Sequence, residues 1–373
     1  MKDFVHPALR REWPLGLDIA TAVSFLAFGS AWLRDLSNPA WFAFLLVWLL
    51  SVILLSAFRV VRHAESLATL VGEPLGTLVL TLCVTGIEAM LIASVMFLGK
   101  GNPALARDAM FAVVMIVLNG MVGLALLLGG LRYHEQEYNL QGANAFLAVI
   151  MPLAVLGLVL PNFTQSTSGP TLSRSQGALL IVLSLSLYGV FLAIQNARHR
   201  EYFLAPGAAD EGGKAAGRHD GSARKAIACH ALLLGAYLLP LVYLCKQLAS
   251  PLDHGIHVLG APPALGGFLV AALVLSPESL SAIRAARVNH LQRSVNLLLG
   301  SVLATISLTV PAVLAIGLVT GRTIVLGLDP ASITLLALTL ILSTQTFASG
   351  RTNVLLGAVH LLLFIAYLML LFD

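Results

Sequence analysis

Two glutamates stand where an apolar chain can least accommodate them. Glu88, in "CVTGIEAML" at residues 83–91, and Glu278, in "LVLSPESLSAI" at 273–283, each lie deep inside an apolar run. A carboxylate near the bilayer centre is costly; such residues normally face a cavity or a partner and mark ion or proton pathways. Thr81 and Thr85 precede Glu88 by seven and three residues and share its helical face. Ser281 follows Glu278 at the same helical spacing. Pro277 has no N–H to donate to the carbonyl of Leu273, which leaves an oxygen acceptor one turn from Glu278. Gly86 gives the first run a comparable soft point. Carboxylates, hydroxyls and freed carbonyls are hard ligands, suited to Ca²⁺, Na⁺ or K⁺. The same carboxylates can carry protons, because desolvation and a nearby like charge both favour the neutral acid. An acid that holds a proton or a cation, never both, couples their movements.

The elements that must position these acids are helices. The chain of 373 residues is 58% hydrophobic and only 11% charged, against roughly 25% charged in soluble domains. Apolar runs long enough to cross about 30 Å of hydrocarbon occur near 15–33, 40–58, 74–98, 108–131, 143–160, 175–195, 226–247, 263–283, 294–319, 331–348 and 353–372. Short alternating strands of a membrane barrel are not seen in the sequence. The expected fold is an all-α polytopic membrane protein with about eleven transmembrane helices.

The N-terminal "MKDFVHPALRREWPLG" is basic ahead of an apolar run, as a signal peptide would be. Keeping it as a helix makes sense of the charges: most of the 22 lysines and arginines then fall on one side of the membrane. Basic residues stay cytoplasmic, so the N-terminus is expected inside and the C-terminus on the periplasmic side. The net charge of +4 therefore reflects topology, and no nucleic-acid partner is expected. Cys83, Cys229 and Cys245 show no metal or redox spacing.

A charged, Gly- and Ala-rich stretch at 196–225 divides the chain, with six runs before it and five after. Taking 1–39 as an additional N-terminal helix leaves two five-helix units, 40–195 and 226–373. An odd number of helices per unit gives them opposite orientations, the inverted repeat common in secondary transporters. Each unit carries its deep acid in its second helix.

At these residues the sequence resembles the calcium/cation antiporter superfamily, in its cation/proton exchanger branch and the bacterial ChaA-type calcium and sodium/proton antiporters. The stretch "HAESLATLVGEPLGTLVLTLCVTGIEAM", 63–90, matches that branch's first repeat, with Glu65 and Glu88 at the family spacing. "GGLRYHEQEYN", 129–139, follows the family's GGLRYKEQxFN closely, and "LVLSPESLSAI" and "GSVLATISLTVP" stand at the second-repeat motifs.

The resemblance implies a bacterial inner-membrane antiporter that exchanges Na⁺, K⁺ or Ca²⁺ for protons, with Glu88 and Glu278 as a central pair exposed alternately to the two sides. Candidate secondary ligands are Thr81, Thr85, Ser281, the Leu273 carbonyl, and Asn119 and Thr305 in the helices after the acid helices. His63, Glu65 and Glu73 could conduct protons or attract cations. The family's GN dipeptides become "VT" at 84–85 and "VL" at 274–275, and Ala304 replaces a glutamine, so amide oxygens that would complete a Ca²⁺ shell are missing. Lys246, standing about where the family has an acid, lowers the site's negative charge and disfavours a divalent ion. No cofactor is expected beyond the transported ions, and the lipid bilayer is the expected surrounding. A passive cation channel is the alternative, since acidic rings also select cations. An enzyme is not expected, for no HExxH, GxSxG or clustered-aspartate motif occurs.

Overall fold

The structure, a computed structural model, describes residues 12–72, 75–98, 103–206 and 221–372, with the backbone alone for 75–80, 91, 94–98 and 221–223. The helices are α1 (Trp13–Trp32), α2 (Pro39–Val71), α3 (Leu75–Leu98), α4 (Leu105–Val114), α5 (Val122–Tyr133), α6 (Leu140–Leu158), α7 (Arg174–Ala193), α8 (Gly221–Val258), α9 (Ala264–Arg287), α10 (Leu291–Ala304), α11 (Val310–Thr320), α12 (Pro330–Thr346) and α13 (Val354–Leu371). A π-helical segment, Met115–Met121, joins α4 to α5, and another, Thr305–Thr309, joins α10 to α11. Each joined pair is therefore one continuous span, Leu105–Tyr133 and Leu291–Thr320. Every one of the eleven apolar runs is a helix, and nine of the described helices are long and apolar enough to cross a membrane. Large apolar side chains such as Leu232, Leu239, Ile365 and Met369 point outward, as lipid-facing residues do.

The chain divides into two compact units. The first holds residues 1–101 and 217–261, with α1, α2, α3 and α8. In it α2 packs along α8, α3 lies against both, and α1 lies against α8 and α2. The turn into α2 is built locally: the Asn38 side chain accepts hydrogen bonds from the backbone N–H of Ala40 and Trp41, and Pro39 sits at the first helical position. Trp32, Trp41 and Trp48 cluster beside this turn with Phe25, Phe28 and Phe44, the kind of aromatic group found at membrane–water interfaces.

The second unit, residues 102–216 and 262–373, holds the remaining helices. Here α9 packs on α4 and α10, and α13 on α5. These approaches are close. A Cβ at Gly357 would lie 2.6 Å from the Leu127 backbone nitrogen, and one at Gly267 would lie 2.7 Å from that of Ala109. Small residues at such crossings are what let membrane helices pack without a hydrophobic driving force.

The stretch 129–139 acts as a clasp in this unit. After α5 it forms β1 (Gln136–Glu137), paired antiparallel with β2 (Arg351–Thr352) just before α13. The Gln136 side-chain amide donates to the Ala286 carbonyl and to Asn289 Oδ1, each at 2.9 Å. Tyr138 O–H donates to the Thr346 carbonyl at 3.2 Å, and the Asn139 N–H to Gln292 Oε1 at 2.5 Å. Ends of α5, α9, α10 and α12 are thereby tied together. Burial holds the Tyr138 hydroxyl at a pKa of about 12, above its ordinary value, against the opposing hydrogen bonds from Gly350 and Ser349. The phenol therefore keeps its proton and stays a donor across the physiological range.

Candidate functional site

Glu88 lies on α3 with 3% of its surface exposed, and Thr85, one turn earlier on the same face, with 4%. Thr81, a further turn away, is half-buried. The apolar neighbours Val84 and Ile87 are buried with them. The first unit therefore encloses a carboxylate and a hydroxyl on one helical face.

Glu278 is half-buried on α9 beside the buried Pro277, and Ser281, one turn on, is half-buried as well. The helix runs unbroken through Pro277. Ser276 O–H donates to the Ala272 carbonyl at 2.5 Å, the acceptor next to the Leu273 carbonyl that the proline leaves without its helical donor. Leu273 itself is half-buried.

Asn119 and Thr305 are both buried, and each belongs to a π-helical segment. A π-helical turn re-aims side chains within a helix and is frequent at functional sites. The Asn119 amide is engaged at both ends: Nδ2 donates to Thr339 Oγ1 at 2.7 Å, and Oδ1 accepts from His360 Nδ1 at 3.2 Å. His360 Nε2 meets Thr346 Oγ1 at 2.9 Å. All four residues are wholly buried. The bond to His360 uses one of the two lone pairs of the Asn119 oxygen. Sequence reasoning passed over Thr339, Thr346 and His360. Thr339 and Thr346 are two among several hydroxyl residues of α12, and His360 lies 241 residues from its partner Asn119.

The remaining candidates lie in the first unit. His63 is buried on α2, with Nδ1 3.0 Å from His230 Nδ1 and Nε2 3.5 Å from Glu12 Oε2. Glu65 is half-buried on the same helix, and Glu73 lies outside the described residues. Lys246 is exposed on α8 and borders a cavity of about 550 Å³ with Arg34, Asp253, His254 and His257. In the turn nearby, hydrogen bonds from the Ser37 side chain and backbone hold Asp35 below the usual carboxylate range, with His254 adding to the effect. Glu12, Asp18, His230 and Tyr237 were not legible as functional positions. A single acid near either end of an apolar run reads as a boundary until its neighbours are known.

Among the described residues, no three His, Cys, Asp or Glu side chains gather into a group able to hold a metal ion.

The family model described as sodium/calcium exchanger protein matches residues 41–196 and 230–372. The sodium-potassium/proton antiporter ChaA of Escherichia coli is 42% identical over 320 residues, covering 86% of this chain and 86% of that protein. The protein y4hA of Sinorhizobium fredii is 45% identical over 316 residues, covering 84% of this chain and 85% of its own length. Among solved structures, native YfkE matches with a TM-score of 0.72 at 19% identity, over 96% of this chain and 99% of that one. That level of identity speaks to the fold.

Proposed function

The chain belongs to the sodium/calcium exchanger protein family, and from that premise we propose that it is a secondary antiporter exporting Na⁺, K⁺ or Ca²⁺ in exchange for protons. Glu88 and Glu278 bind cation and proton by turns. Thr81, Thr85, Ser281 and the Leu273 carbonyl supply further oxygens, joined by Asn119 and Thr305 from the helices that follow. Residues 40–195 and 226–373 act as inverted repeats joined by a cytoplasmic linker, 196–225, with 1–39 added in front. The protein works in a bacterial inner membrane with its N-terminus in the cytoplasm and its C-terminus in the periplasm.

The observation that carries this reading is the burial of Glu88 beside Thr85 in an otherwise apolar membrane helix. Acids placed so deep normally mark ion or proton pathways. The relative's activity as a sodium-potassium/proton antiporter favours monovalent cations. So do the missing amides at 84–85 and 274–275, Ala304 in place of glutamine, and the added charge of Lys246.

Everted vesicles test the reading: cation-induced release of protons is followed for Na⁺, K⁺ and Ca²⁺, in wild type, Glu88→Gln and Glu278→Gln. Wild type exchanges and both variants lose exchange. If both variants exchange as well as wild type, the two acids are structural and the assignment fails. Downhill cation flux with no proton movement in wild type would instead mark a channel.

A further inference from the structure

A second set of titratable side chains lies in the first unit, where α1 meets α2 and α8. His230, half-buried on α8, faces His63 on α2 at 3.0 Å between their Nδ1 atoms. His63 Nε2 approaches Glu12 Oε2 at 3.5 Å, and Tyr237 O–H donates to the same oxygen at 2.8 Å. Arg59 lies 3.6 Å from the other Glu12 oxygen. Deeper along α1, Asp18 is fully buried. Its two oxygens are sealed and make no hydrogen bond of ordinary geometry, and the Ser56 hydroxyl of α2 facing it is sealed in the same way. Tyr237 and Cys245 of α8 are within electrostatic reach of Asp18.

We propose that these groups form a proton path, in which His230, His63, Glu12 and Tyr237 pass protons in file between the half-exposed His230 and the buried Asp18. The proposal rests on the reading that this chain exchanges protons, and it gives a role to the added N-terminal helix, which lies outside both repeats.

Three features set the cluster apart from a core that is merely polar. An ionised carboxylate with only the Ser56 hydroxyl facing it is a poor core residue, since little offsets its lost hydration; a carboxyl that takes up a proton avoids that cost. Two Nδ1 atoms at bonding distance share one hydrogen, so one ring must donate while the other accepts, and exchanging those roles is a proton transfer. Glu12 is the junction: one oxygen takes both Tyr237 and His63, while Arg59 stabilises the carboxylate between transfers. Each transfer breaks one O–H or N–H bond and forms another, with no change of oxidation state.

The charged and polar groups facing this file come from α2 and α8. Ser56, Arg59 and Arg62 come from α2, and Tyr237, His230 and Cys245 from α8. From His230 to Tyr237 the file follows α8 for about 10 Å at 1.5 Å per residue.

Reconstituted full-length protein separates proton delivery from cation binding. Proton-coupled exchange is measured beside cation self-exchange, in which a labelled cation swaps for the same unlabelled cation without a pH gradient. Asp18→Asn is expected to slow proton-coupled exchange about ten-fold or more, in the range of lost proton-transfer groups, and to retain self-exchange. Asp18→Glu restores coupling. Tyr237→Phe, which keeps the ring and removes only the transferable hydrogen, covers the case in which Asp18→Asn fails to fold; it too slows coupled exchange selectively. Equal loss of both activities, or loss of neither, overturns the path. Wild type that moves labelled cation without protons would instead defeat the exchanger reading on which the path rests.

Discussion

The two units bury polar groups in different ways. In the first, buried and half-buried titratable side chains stand beside one another: Glu12, Asp18, Arg59, His63, His230 and Tyr237. In the second, the deepest network is built from an amide, two threonine hydroxyls and one imidazole, and the helix ends are fastened by glutamine and asparagine side chains. A neutral imidazole with its hydrogen on Nδ1 satisfies every bond there. Nδ1 donates to Asn119, Nε2 accepts from Thr346, and Asn119 donates to Thr339. The first unit is thus equipped to move protons, and the second to hold a geometry fixed. For a coupled transporter this is a reasonable division, since a network that held geometry with charges would loosen whenever it titrated.

The largest effect expected from this contrast is at Asn119. Asn119→Leu strands the His360 nitrogen in the interior and leaves the Thr339 hydroxyl only the Met115 sulfur, at about 1–3 kcal/mol for an unsatisfied group. Thermal unfolding in detergent should show a drop of several degrees, equal at neutral and mildly acidic pH. A loss that changed with pH would reveal a charged His360 and erase the difference between the units.

Close backbone packing gives the next effect. Gly357→Ala places a methyl 2.6 Å from the Leu127 nitrogen, and overpacking of this kind costs about 1–3 kcal/mol. Gly235 on α8, in the first unit, has no atom within 4 Å of its would-be Cβ. Gly235→Ala should therefore raise stability, by about 0.5–1 kcal/mol, through helix propensity alone. The pair is read by the same melting measurement. If both substitutions were tolerated alike, the second unit would be no more tightly packed than the first.

Much of the scaffold was legible because a membrane helix needs only length and apolarity to announce itself, and each of the eleven runs is a helix. The π-helical segments were not legible. "MIVLNGM" and "TISLT" have the composition of the helices they interrupt, and only the backbone reveals the extra residue per turn. The stretch 129–139 was recognised as a motif, yet its work as a clasp depends on Ala286, Asn289, Gln292 and Thr346, distant positions that no local reading connects to it. Glu88 and Glu278 drew notice because an acid in an apolar run violates a strong rule. Asp18 violates the same rule, but it sits near the start of its run and reads as a boundary. Its isolation shows only when Ser56 and α8 are packed around it.

The smallest expected effect lies at the edge of the second unit, where an ionised side chain is used structurally. Asp329 caps α12, its Oδ1 accepting from the Ser332 N–H at 3.0 Å. Partial burial pushes its pKa up, but hydrogen bonds from Ser332 and from neighbouring backbone N–H groups outweigh this and hold it below the ordinary carboxylate value. A carboxyl depressed on folding stabilises the fold above its unfolded pKa of about 4, and the contribution fades as pH falls through the lower folded value. Asp329→Ala should cost about 1 kcal/mol at neutral pH, as loss of an N-cap does, and progressively less in strong acid. Asp329→Asn keeps the capping oxygen and removes the titration, so its melting temperature should track wild type near neutrality and fall less steeply on acidification. If the alanine variant's deficit stayed constant down to strongly acidic pH, the cap would act without its charge. The cap would then be as indifferent to charge as the network around Asn119.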